Sequence, residues 1–235
     1  MILWAWIPAR ADSKGIPHKN RRLFKGKPLW VWSYLYAKQF PQISRIILST
    51  DDPIIKEQAA EFPDIIIHHR STETAGDFSR DSEVLREIRN TLVQNHSPDW
   101  WIQLRPTYPC RPQKVLQDIL ENQEIFTTCN AFRTVTPMKH PPLKTYTITA
   151  GHIMTPICHE WHNIPEPYDA PRQVLGDFYW HNGCIDGIKD LTFQEECTLL
   201  PLRTYAVMMC IEHDGDIDTE QDWMKAEQCS GKDFL

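Results

Sequence analysis

The residues of this 235-residue chain that could do chemistry fall mainly in two stretches, and the first is a cationic loop. From Arg10 to Lys27 there are seven Lys or Arg residues against the single acid Asp12, although the whole chain has a net charge of -6. The turn Ser13-Lys14-Gly15 offers backbone N–H groups, a hydroxyl and an ammonium, and its glycine permits close approach of the backbone. The loop matches neither GxxxxGKS/T nor GxGxxG. A solvated basic loop is the alternative, but a glycine turn directly after a strand favours phosphate binding.

The second stretch is a run of alternating acids after a predicted buried strand: Asp214, Asp216, Asp218 and Glu220. Alternate side chains of an extended segment share a face, so Asp216 and Asp218 are predicted to bind one Mg²⁺. A calcium loop of the EF-hand kind is excluded, because Thr219 stands where that loop needs glycine and Lys225 where it needs glutamate. Capping of the last helix by Asp218 and Thr219 is compatible with metal binding.

A third stretch, His-Glu-Trp-His from His159 to His162, is a weaker candidate for a metal site. Zinc motifs of the HExxH type place their histidines four residues apart on a helix, whereas His159 and His162 are three apart beside Pro156 and Pro165. Metal binding is therefore not favoured there.

The elements that position these residues follow the pattern of an α/β fold, in which apolar strand-like runs alternate with amphipathic helical ones. Strands are predicted at 1–7, 44–50, 64–69, 99–104 and 204–213, and helices at 28–40, 53–62, from about 81, at 112–123 and at 219–228. Short apolar strands separated by helices indicate a mostly parallel sheet with helices on both faces. Ligands of such sheets bind at the carboxyl ends of the strands, where both chemical stretches are expected to lie.

A single domain over residues 1–235 is predicted, with an inserted segment at about 138–180. The segment Leu143–Ile157 has the pattern of a hairpin that turns around Ala150 and Gly151, with neither strand clearly part of the core. We interpret it as an arm that packs on a neighbouring copy.

Composition excludes several classes of partner. The acidic net charge leaves no broad basic face for a nucleic acid backbone. No apolar run reaches the roughly 20 residues that a membrane-spanning helix needs. The N-terminus reaches Pro8 without a basic segment, so we expect a strand and not a signal peptide. The seven scattered cysteines form no CxxC pair, which indicates reduced thiols and a cytoplasmic protein.

Six ordered motifs carry a resemblance to a known family: IPARADSKGIPHKN, LSTDDPIIKEQA, RSTETAGDFSRDSEVL, LRPTYPCRP, YWHNGCIDG and DIDTEQDW. They span nearly the whole chain and closely resemble the acylneuraminate cytidylyltransferases, which include the CMP-sialic acid synthetases and their relatives for other nonulosonic acids. The resemblance implies a Rossmann-like nucleotidyltransferase fold, homodimeric through an arm inserted beside the partner's site. It implies Mg²⁺-dependent transfer of CMP from CTP to the anomeric hydroxyl of a 2-keto-3-deoxy acid sugar, with release of pyrophosphate.

The resemblance also assigns roles to individual residues. The triphosphate contacts that it implies are Arg10, Ser13, Lys14 and Lys19, with Ala9 and Gly15 in the same nucleotide-binding loop. The residues that it places near the cytidine are Asn20, Arg70, Asp77 and Ser79. Its candidates for the sugar are Lys144, Arg172, Gln173 and Asn182, of which Arg172 suits a carboxylate through a bidentate fork. The implied catalytic set is Arg10, Lys14, Lys19, Asp216 and Asp218, and the two acids would hold Mg²⁺.

Two departures from the family pattern leave the acceptor open. Members specific for N-acetylneuraminate generally read Gln-Pro-Thr-Ser-Pro with the Gln facing the sugar, whereas here Arg105 precedes Pro106 and Tyr108 replaces the Ser. A cation is not a neutral exchange for an amide, so Arg105 is a further predicted substrate contact and points to a different nonulosonic acid. Asp12, where relatives often carry Gly or Asn, is open to pairing with a cation or to binding a second metal.

Three alternative functions remain. Kdo is the first alternative acceptor, although the Kdo cytidylyltransferases lack the Ser-Lys-Gly-Ile-Pro and Arg-Pro-Thr motifs of this chain. The second is a non-sugar or phosphonate acceptor. The third is a non-catalytic nucleotide sensor, and the presence of Lys14, Asp216 and Asp218 argues against it.

Overall fold

The computed structural model describes residues 1–210 and 215–228. The strands are β1 (Leu3–Pro8), β2 (Leu23–Phe24), β3 (Lys27–Pro28), β4 (Ile43–Thr50), β5 (Ile65–His69), β6 (Trp100–Gln103), β7 (Ala131–Pro137), β8 (Tyr146–Ile148), β9 (Met154–Pro156), β10 (Glu160–Trp161), β11 (Ile164–Pro165), β12 (Tyr179–Lys189) and β13 (Thr204–Met208). The α-helices are α1 (Leu29–Lys38), α2 (Pro53–Ala59), α3 (Thr72–Ala75), α4 (Asp81–Leu92), α5 (Gln113–Glu121), α6 (Gln123–Thr128), α7 (Arg172–Leu175), α8 (Asp190–Glu196) and α9 (Glu220–Glu227).

Seven strands form one sheet in the order β13-β7-β12-β6-β1-β4-β5. Strand β1 pairs in parallel with β4 and β6, β5 pairs in parallel with β4, and β13 with β7. Only β12 in this sheet runs antiparallel, against both β6 and β7. The prediction of a mostly parallel sheet is therefore confirmed.

The two faces of the sheet are covered by different helices, as predicted. In β1, Leu3 and Ile7 join a core that includes Leu116 of α5, whereas Trp4 and Trp6 join a second core on the other face. That second core contains Val84, Leu85 and Ile88, which lie on the buried side of α4. Period-2 alternation in the strand thus separates the helices into two layers.

A third, smaller core ties the beginning of the chain to its end. It contains Ile16 of the cationic loop, Phe24 of β2, Ile217 and Trp223 of α9. The Phe24 and Trp223 rings meet edge to face with their centroids 5.5 Å apart. These contacts seat the cationic loop against the acidic stretch that precedes α9.

Several helix ends show why the helices begin where the sequence predicts. Asp52 caps α2 by accepting a hydrogen bond of 2.8 Å from the Ile54 N–H, with Pro53 in the first turn. Thr219 caps α9 and forms a capping box with Asp222. The N-terminal ends of α2 and α9 are therefore predictable from the capping residues in the sequence.

Two parts of the sheet differ from the prediction. The strand predicted at 204–213 ends at Met208 as β13, and its residues 211–213, like Asp214 of the acidic run, lie outside the described residues. Within the described residues β13 lies at the sheet edge beside β7, so its burial is incomplete. The prediction also missed β7 and the 11-residue β12, of which β12 lies beside β6 and β7 lies between β12 and β13. In β12 the Asn-Gly pair and a register shift between His181 and Asp186 break the apolar pattern.

The inserted segment contains the predicted hairpin, which β8 and β9 form with Ile148 opposite Met154. A second hairpin pairs β10 with β11 through a turn at His162 and Asn163, both with positive φ. Within residues 1–210 and 215–228, no helix is both long and apolar enough to cross a bilayer.

Candidate active site

A cleft of about 350 Å³ opens at the carboxyl edge of the sheet, where parallel α/β sheets bind ligands. The loops that line it follow β1, β5 and β6, and the acidic stretch before α9 closes one side. The lining residues are Pro8, Arg10, Ser13, Lys14, Gly15, Lys19, Asn20, Arg70, Gly76, Asp77, Ser79, Asp81, Arg105, Pro106, Thr107 and Asp218. The cationic loop and Asp218 of the acidic stretch therefore line one cleft, whereas Asp216 is not among the lining residues.

The two stretches meet through direct backbone contact. A Cβ added at Gly15 would lie 2.0 Å from the Asp218 carbonyl oxygen, so only glycine fits there. Lys19 Nζ donates hydrogen bonds to the Ile217 carbonyl at 2.6 Å and to Asp218 Oδ1 at 3.1 Å. The Ile217 N–H donates to the Thr107 carbonyl at 2.8 Å. Four short contacts thus fix the carboxylates relative to the cationic loop and the loop after β6.

Two cations of the opening loop share one acidic partner. Arg10 and Lys14 each approach the Asp77 carboxylate at 3.0 Å, one to each oxygen. Lys14 and Arg10 hold the pKa of Asp77 below its usual value. Lys14 also lies over the ring of Phe78, which is 96% exposed. Two of the four predicted triphosphate contacts, Arg10 and Lys14, are therefore paired with an acid of the same cleft.

The other predicted nucleotide contacts are distributed around the same cleft. Asn20 is buried and donates from its side-chain amide to the Arg10 carbonyl at 2.9 Å. Arg70 follows β5 and donates from Nε to the Thr74 carbonyl at 2.8 Å. Ser13 and Ser79 line the cleft, whereas Ala9 is fully buried and is not among the lining residues. The structure thus brings together every member of the predicted nucleotide set except Ala9, whose backbone continues β1.

Asp216 has the environment of a cation ligand. Its Oδ1 is buried and has no hydrogen-bond partner among the described residues. Burial raises the pKa of Asp216, and the charge of Asp218 adds to the effect. A hydrogen bond with Thr107 opposes this rise in the pKa. A buried carboxylate oxygen that lacks a donor is satisfied by a divalent cation, so Asp216 and Asp218 fit Mg²⁺ as a donor set.

In the described part of the chain, no three His, Cys, Asp or Glu side chains cluster as a metal-binding group. A cation held by Asp216 and Asp218 would therefore draw its other ligands from water and phosphate oxygens, as Mg²⁺ commonly does.

At the third predicted stretch, His159 packs on Tyr168 and His162 on Trp161, with ring centroids 6.2 and 4.4 Å apart.

Arg105 lines the cleft as the centre of a charged network that sequence reasoning did not find. Its NH1 donates to Asp186 Oδ2 at 2.8 Å and its NH2 to Asp81 Oδ2 at 2.9 Å. Burial opposes the charge on Arg105, but Asp186 and Asp81 raise its pKa above the ordinary value. Gly183, at φ +69°, leaves room for the guanidinium, since a Cβ there would lie 3.2 Å from NH1.

The network extends beyond Arg105 to His181. His181 Nε2 lies 2.8 and 3.0 Å from the two oxygens of Asp186. The motif YWHNGCIDG contains both residues, but their separation of five across a register shift gives no periodic signal. Asp81 was hidden for another reason, since it resembles an ordinary acid in the first turn of α4.

The residues predicted for the sugar do not all meet in the nucleotide cleft. Arg172 and Gln173 line a second cleft of about 570 Å³ at the base of the inserted segment, together with Pro137, Met138, Pro141, Gly176, Asp177, Phe178 and Tyr179. Lys144 lies in a short 3₁₀ turn of that segment and lines neither cleft. Only Arg105 of this set reaches the nucleotide cleft.

Asn182 is a different case, because the structure places its amide inside the sheet. It is 1% exposed, and its Oδ1 accepts from the Thr134 hydroxyl at 2.7 Å and from the Cys184 N–H at 3.1 Å. The Asn182 side chain therefore stabilises the local structure of β12 and does not face either cleft.

A mostly parallel sheet with a cationic glycine turn and paired acids at its carboxyl edge defines a nucleotide-binding α/β protein of the nucleotidyltransferase class. The family model described as Cytidylyltransferase matches residues 4–151. The chain therefore belongs to the cytidylyltransferase family.

Two curated relatives are similar over nearly the whole chain. An N-acylneuraminate cytidylyltransferase of Streptococcus agalactiae serotype V is 26% identical over 220 residues, which are 93% of this chain and 51% of the relative. A CMP-N,N'-diacetyllegionaminic acid synthase of Legionella pneumophila subsp. pneumophila is 28% identical over 235 residues, which are 97% of this chain and 96% of the relative. The chain thus spans about half the length of the streptococcal relative and nearly all of the legionellar one.

Among solved structures, a CMP:2-keto-3-deoxy-manno-octonic acid synthetase complexed with CTP superposes with a TM-score of 0.68 at 17% identity. The superposition covers 97% of each chain. This likeness supports the fold and its Rossmann-like topology.

Proposed function

We propose that this protein transfers CMP from CTP to the anomeric hydroxyl of a nonulosonic acid or a related 2-keto-3-deoxy acid sugar, with release of pyrophosphate. The observation that carries the proposal is the junction at Gly15, which brings Arg10, Lys14 and Lys19 into one cleft with the segment of Asp216 and Asp218. The names of the two curated relatives support the acceptor class.

The cations of the opening loop would bind the triphosphate and neutralise the departing pyrophosphate. Arg10 and Lys14 would exchange their ion pairs with Asp77 for phosphate oxygens, and Lys19 would stay fixed beside Asp218. Asn20, Arg70 and Ser79 line the same cleft and would lie beside the cytidine. Positioning and charge stabilisation account for most of the catalysis in phosphoryl transfer.

Asp216 and Asp218 would hold Mg²⁺, which when bound supplies charge neutralisation at the phosphate and lowers the pKa of a nearby hydroxyl. Asp216 contributes an oxygen that has no donor in the described residues. Asp218 is exposed to the cleft and keeps its contact with Lys19.

The acceptor would lie between the nucleotide cleft and the inserted segment. Arg105 stands at that side, and its place in an ion-paired network holds its guanidinium in one orientation. Arg172, Gln173 and Lys144 belong to the inserted segment, which in a homodimer could complete the site of the partner. Exposed apolar side chains on this segment support such a homodimer, among them Ile148, Ile153 and Met154.

The proposal is tested by pyrophosphate release from CTP and Mg²⁺ with a panel of acid sugars: N-acetylneuraminate, legionaminate, pseudaminate, Kdn and Kdo. Release with a nonulosonic acid and CTP, but not with ATP or UTP, is the expected result. Release with Kdo alone would select the first alternative acceptor. CTP binding without release on the whole panel would point to a non-sugar acceptor or to a nucleotide sensor.

Replacement of an acid in the acidic stretch gives a second test. Asp218→Asn should lower turnover at least about 10²-fold if the carboxylate holds the metal at the phosphate. Asp118→Asn is the matched control, because Asp118 pairs only with Lys114 on the exposed side of α5. Turnover of Asp218→Asn near that of the wild type would remove Asp218 from the metal site.

A further inference from the structure

His181 and Asp186 form a dyad at the acceptor side of the site. The Asp186 side chain is 7% exposed and that of His181 is 32% exposed. Burial works against the charge of Asp186, but the hydrogen bond from His181 and the charge of Arg105 hold its pKa below the usual value. Asp186 is therefore a carboxylate and can only accept, so Nε2 of His181 carries the proton that it donates. When the imidazole is neutral, Nδ1 bears the lone pair.

The position of the dyad follows from the direction of β12. Asp186 pairs with Gln103, the last residue of β6, and β12 runs antiparallel to β6. The residues of β12 before Asp186 therefore extend beyond the carboxyl end of β6, where the cleft lies.

His181 lines neither cleft itself but has neighbours that line each of them. Tyr179 lines the cleft of the inserted segment and pairs with Pro137, and His181 pairs with Val135. Alternate residues of a strand share a face, so His181 and Tyr179 project to the same side. On the other side of the dyad, Asp186 contacts Arg105, which lines the nucleotide cleft. An acceptor sugar bound across the two clefts would lie next to the imidazole of His181.

The charged groups around the dyad come from three directions. Arg105 contacts Asp186 from the loop after β6, and Asp81 of α4 balances Arg105. Arg133 of β7 pairs with Asp186 in the sheet register and lowers its pKa through its charge. The positive charges of the two arginines balance the negative charges of the two carboxylates. The groups around the neutral imidazole therefore carry no net charge.

We propose that His181 is the general base of the transfer and that Asp186 orients it. As the acceptor oxygen forms its bond to the α-phosphorus, the hydroxyl proton moves to Nδ1 of His181, and the bond to pyrophosphate breaks with its electron pair on the leaving oxygen. Arg105 acts as a positioning residue by holding Asp186. This inference rests on the proposed function, and it adds a proton acceptor to a site whose other groups are cations and metal-binding acids. A carboxylate that orients an imidazole is a recurrent arrangement in acid–base catalysis.

Turnover as a function of pH tests the role in the transfer itself. His181→Gln should lower kcat about 10²-fold or more, with little change in the CTP concentration needed for half saturation. The wild type should lose turnover as the pH is lowered, because a protonated base accepts no proton, and the variant should lack that dependence. His96→Gln is the matched control, because His96 is exposed in the loop before β6, at the opposite edge of the sheet. An unchanged acid dependence in His181→Gln would overturn the inference.

The tautomer of His181 can be measured without any acceptor. Nitrogen-15 NMR of the wild-type imidazole at neutral to alkaline pH should show the proton on Nε2, and His181→Gln assigns the signal. A proton on Nδ1 would overturn the inference, even if transfer activity is found. If no acid sugar of the panel reacts but the proton is on Nε2, the result contradicts the proposed acceptor and not the orientation of the dyad. If an acid sugar reacts but the proton is on Nδ1, the result supports the proposed function and contradicts the role of His181.

Discussion

At the scale of single residues, Gly15 determines whether the two halves of the candidate site can meet. The sequence predicts a glycine for close approach, and it suggests a ligand as the group approached. In the structure the group is the Asp218 carbonyl, a backbone atom that cannot rotate away. Gly15 thus allows two stretches that are far apart in the sequence to come into contact and form one site.

Gly15→Ala should displace the cationic loop from the acidic stretch, because the added Cβ would lie 2.0 Å from the Asp218 carbonyl oxygen. We expect the thermal stabilisation of the protein by CTP and Mg²⁺ to be largely lost, with a smaller change in the melting temperature of the free protein. Gly151→Ala is the control, since its nearest neighbour is a side-chain atom at 3.7 Å. Equal stabilisation of both variants by the nucleotide would contradict the junction.

Asp77 competes with phosphate for Arg10 and Lys14 in the free protein. Asp77→Asn removes this internal anion, so we expect tripolyphosphate and CTP to bind several-fold more tightly, with a stronger dependence on salt because the site becomes more positive. Isothermal titration calorimetry measures both effects, and Asp118→Asn serves as the control for loss of an exposed acid. Weaker binding by Asp77→Asn would mean that the carboxylate arranges the loop and does not only block it.

At the scale of elements, β4, β5 and α4 enclose His68 at the carboxyl ends of two strands. His68 is 2% exposed, and its Nδ1 lies 3.0 Å from the Ser49 hydroxyl oxygen. Burial lowers the pKa of His68 below its ordinary value of 6.5, and nearby Glu87 opposes the shift only in part.

The unfolded chain therefore binds a proton at His68 before the folded chain does. As pH falls below 6.5, the free energy of unfolding should decrease until the folded-state pKa is reached, and above 6.5 the contribution is fully present. Urea titrations between pH 5 and 8 should show this slope in the wild type and less of it in His68→Gln. The same slope in both proteins would assign the pH dependence to other groups.

The parallel half of the sheet was predictable because its strands are short apolar runs between amphipathic helices, as in β1, β4 and β5. The strand β12 was not, because its polar residues bond to side chains of other elements, as Asn182 does to Thr134 of β7, or to each other across a register shift, as His181 and Asp186 do. The members of the Asp81–Arg105–Asp186–His181 network come from three elements, and no spacing rule connects them. Sequence reasoning therefore predicted most of the residues that line the cleft at the carboxyl edge of the sheet and missed the partners of Arg105 in this network.

At the scale of the whole molecule, the inserted segment exposes several large apolar side chains. Ile148, Ile153 and Met154 are 68%, 65% and 57% exposed on one hairpin. Contiguous apolar surface of this kind commonly marks a protein interface, and the family resemblance implies a homodimer through this arm.

Ile148→Glu should therefore convert a dimer into a monomer, because a charge would be buried without a partner at the interface. Sedimentation velocity measures the change, and Leu191→Glu is the control, since Leu191 is 72% exposed on α8. A wild-type monomer, or a dimer that persists in Ile148→Glu, would refute the proposed arrangement.

The contact between Gly15 and Asp218 has a consequence for the order in which the protein is made. The cations proposed for the triphosphate leave the ribosome about 200 residues before the acids that would hold Mg²⁺. A nascent or prematurely terminated chain that stops before Asp216 could attract nucleotides but would lack the acids proposed for transfer. Catalytic competence would thus arise only once Asp218 has emerged, after β1 to β13 have been synthesised.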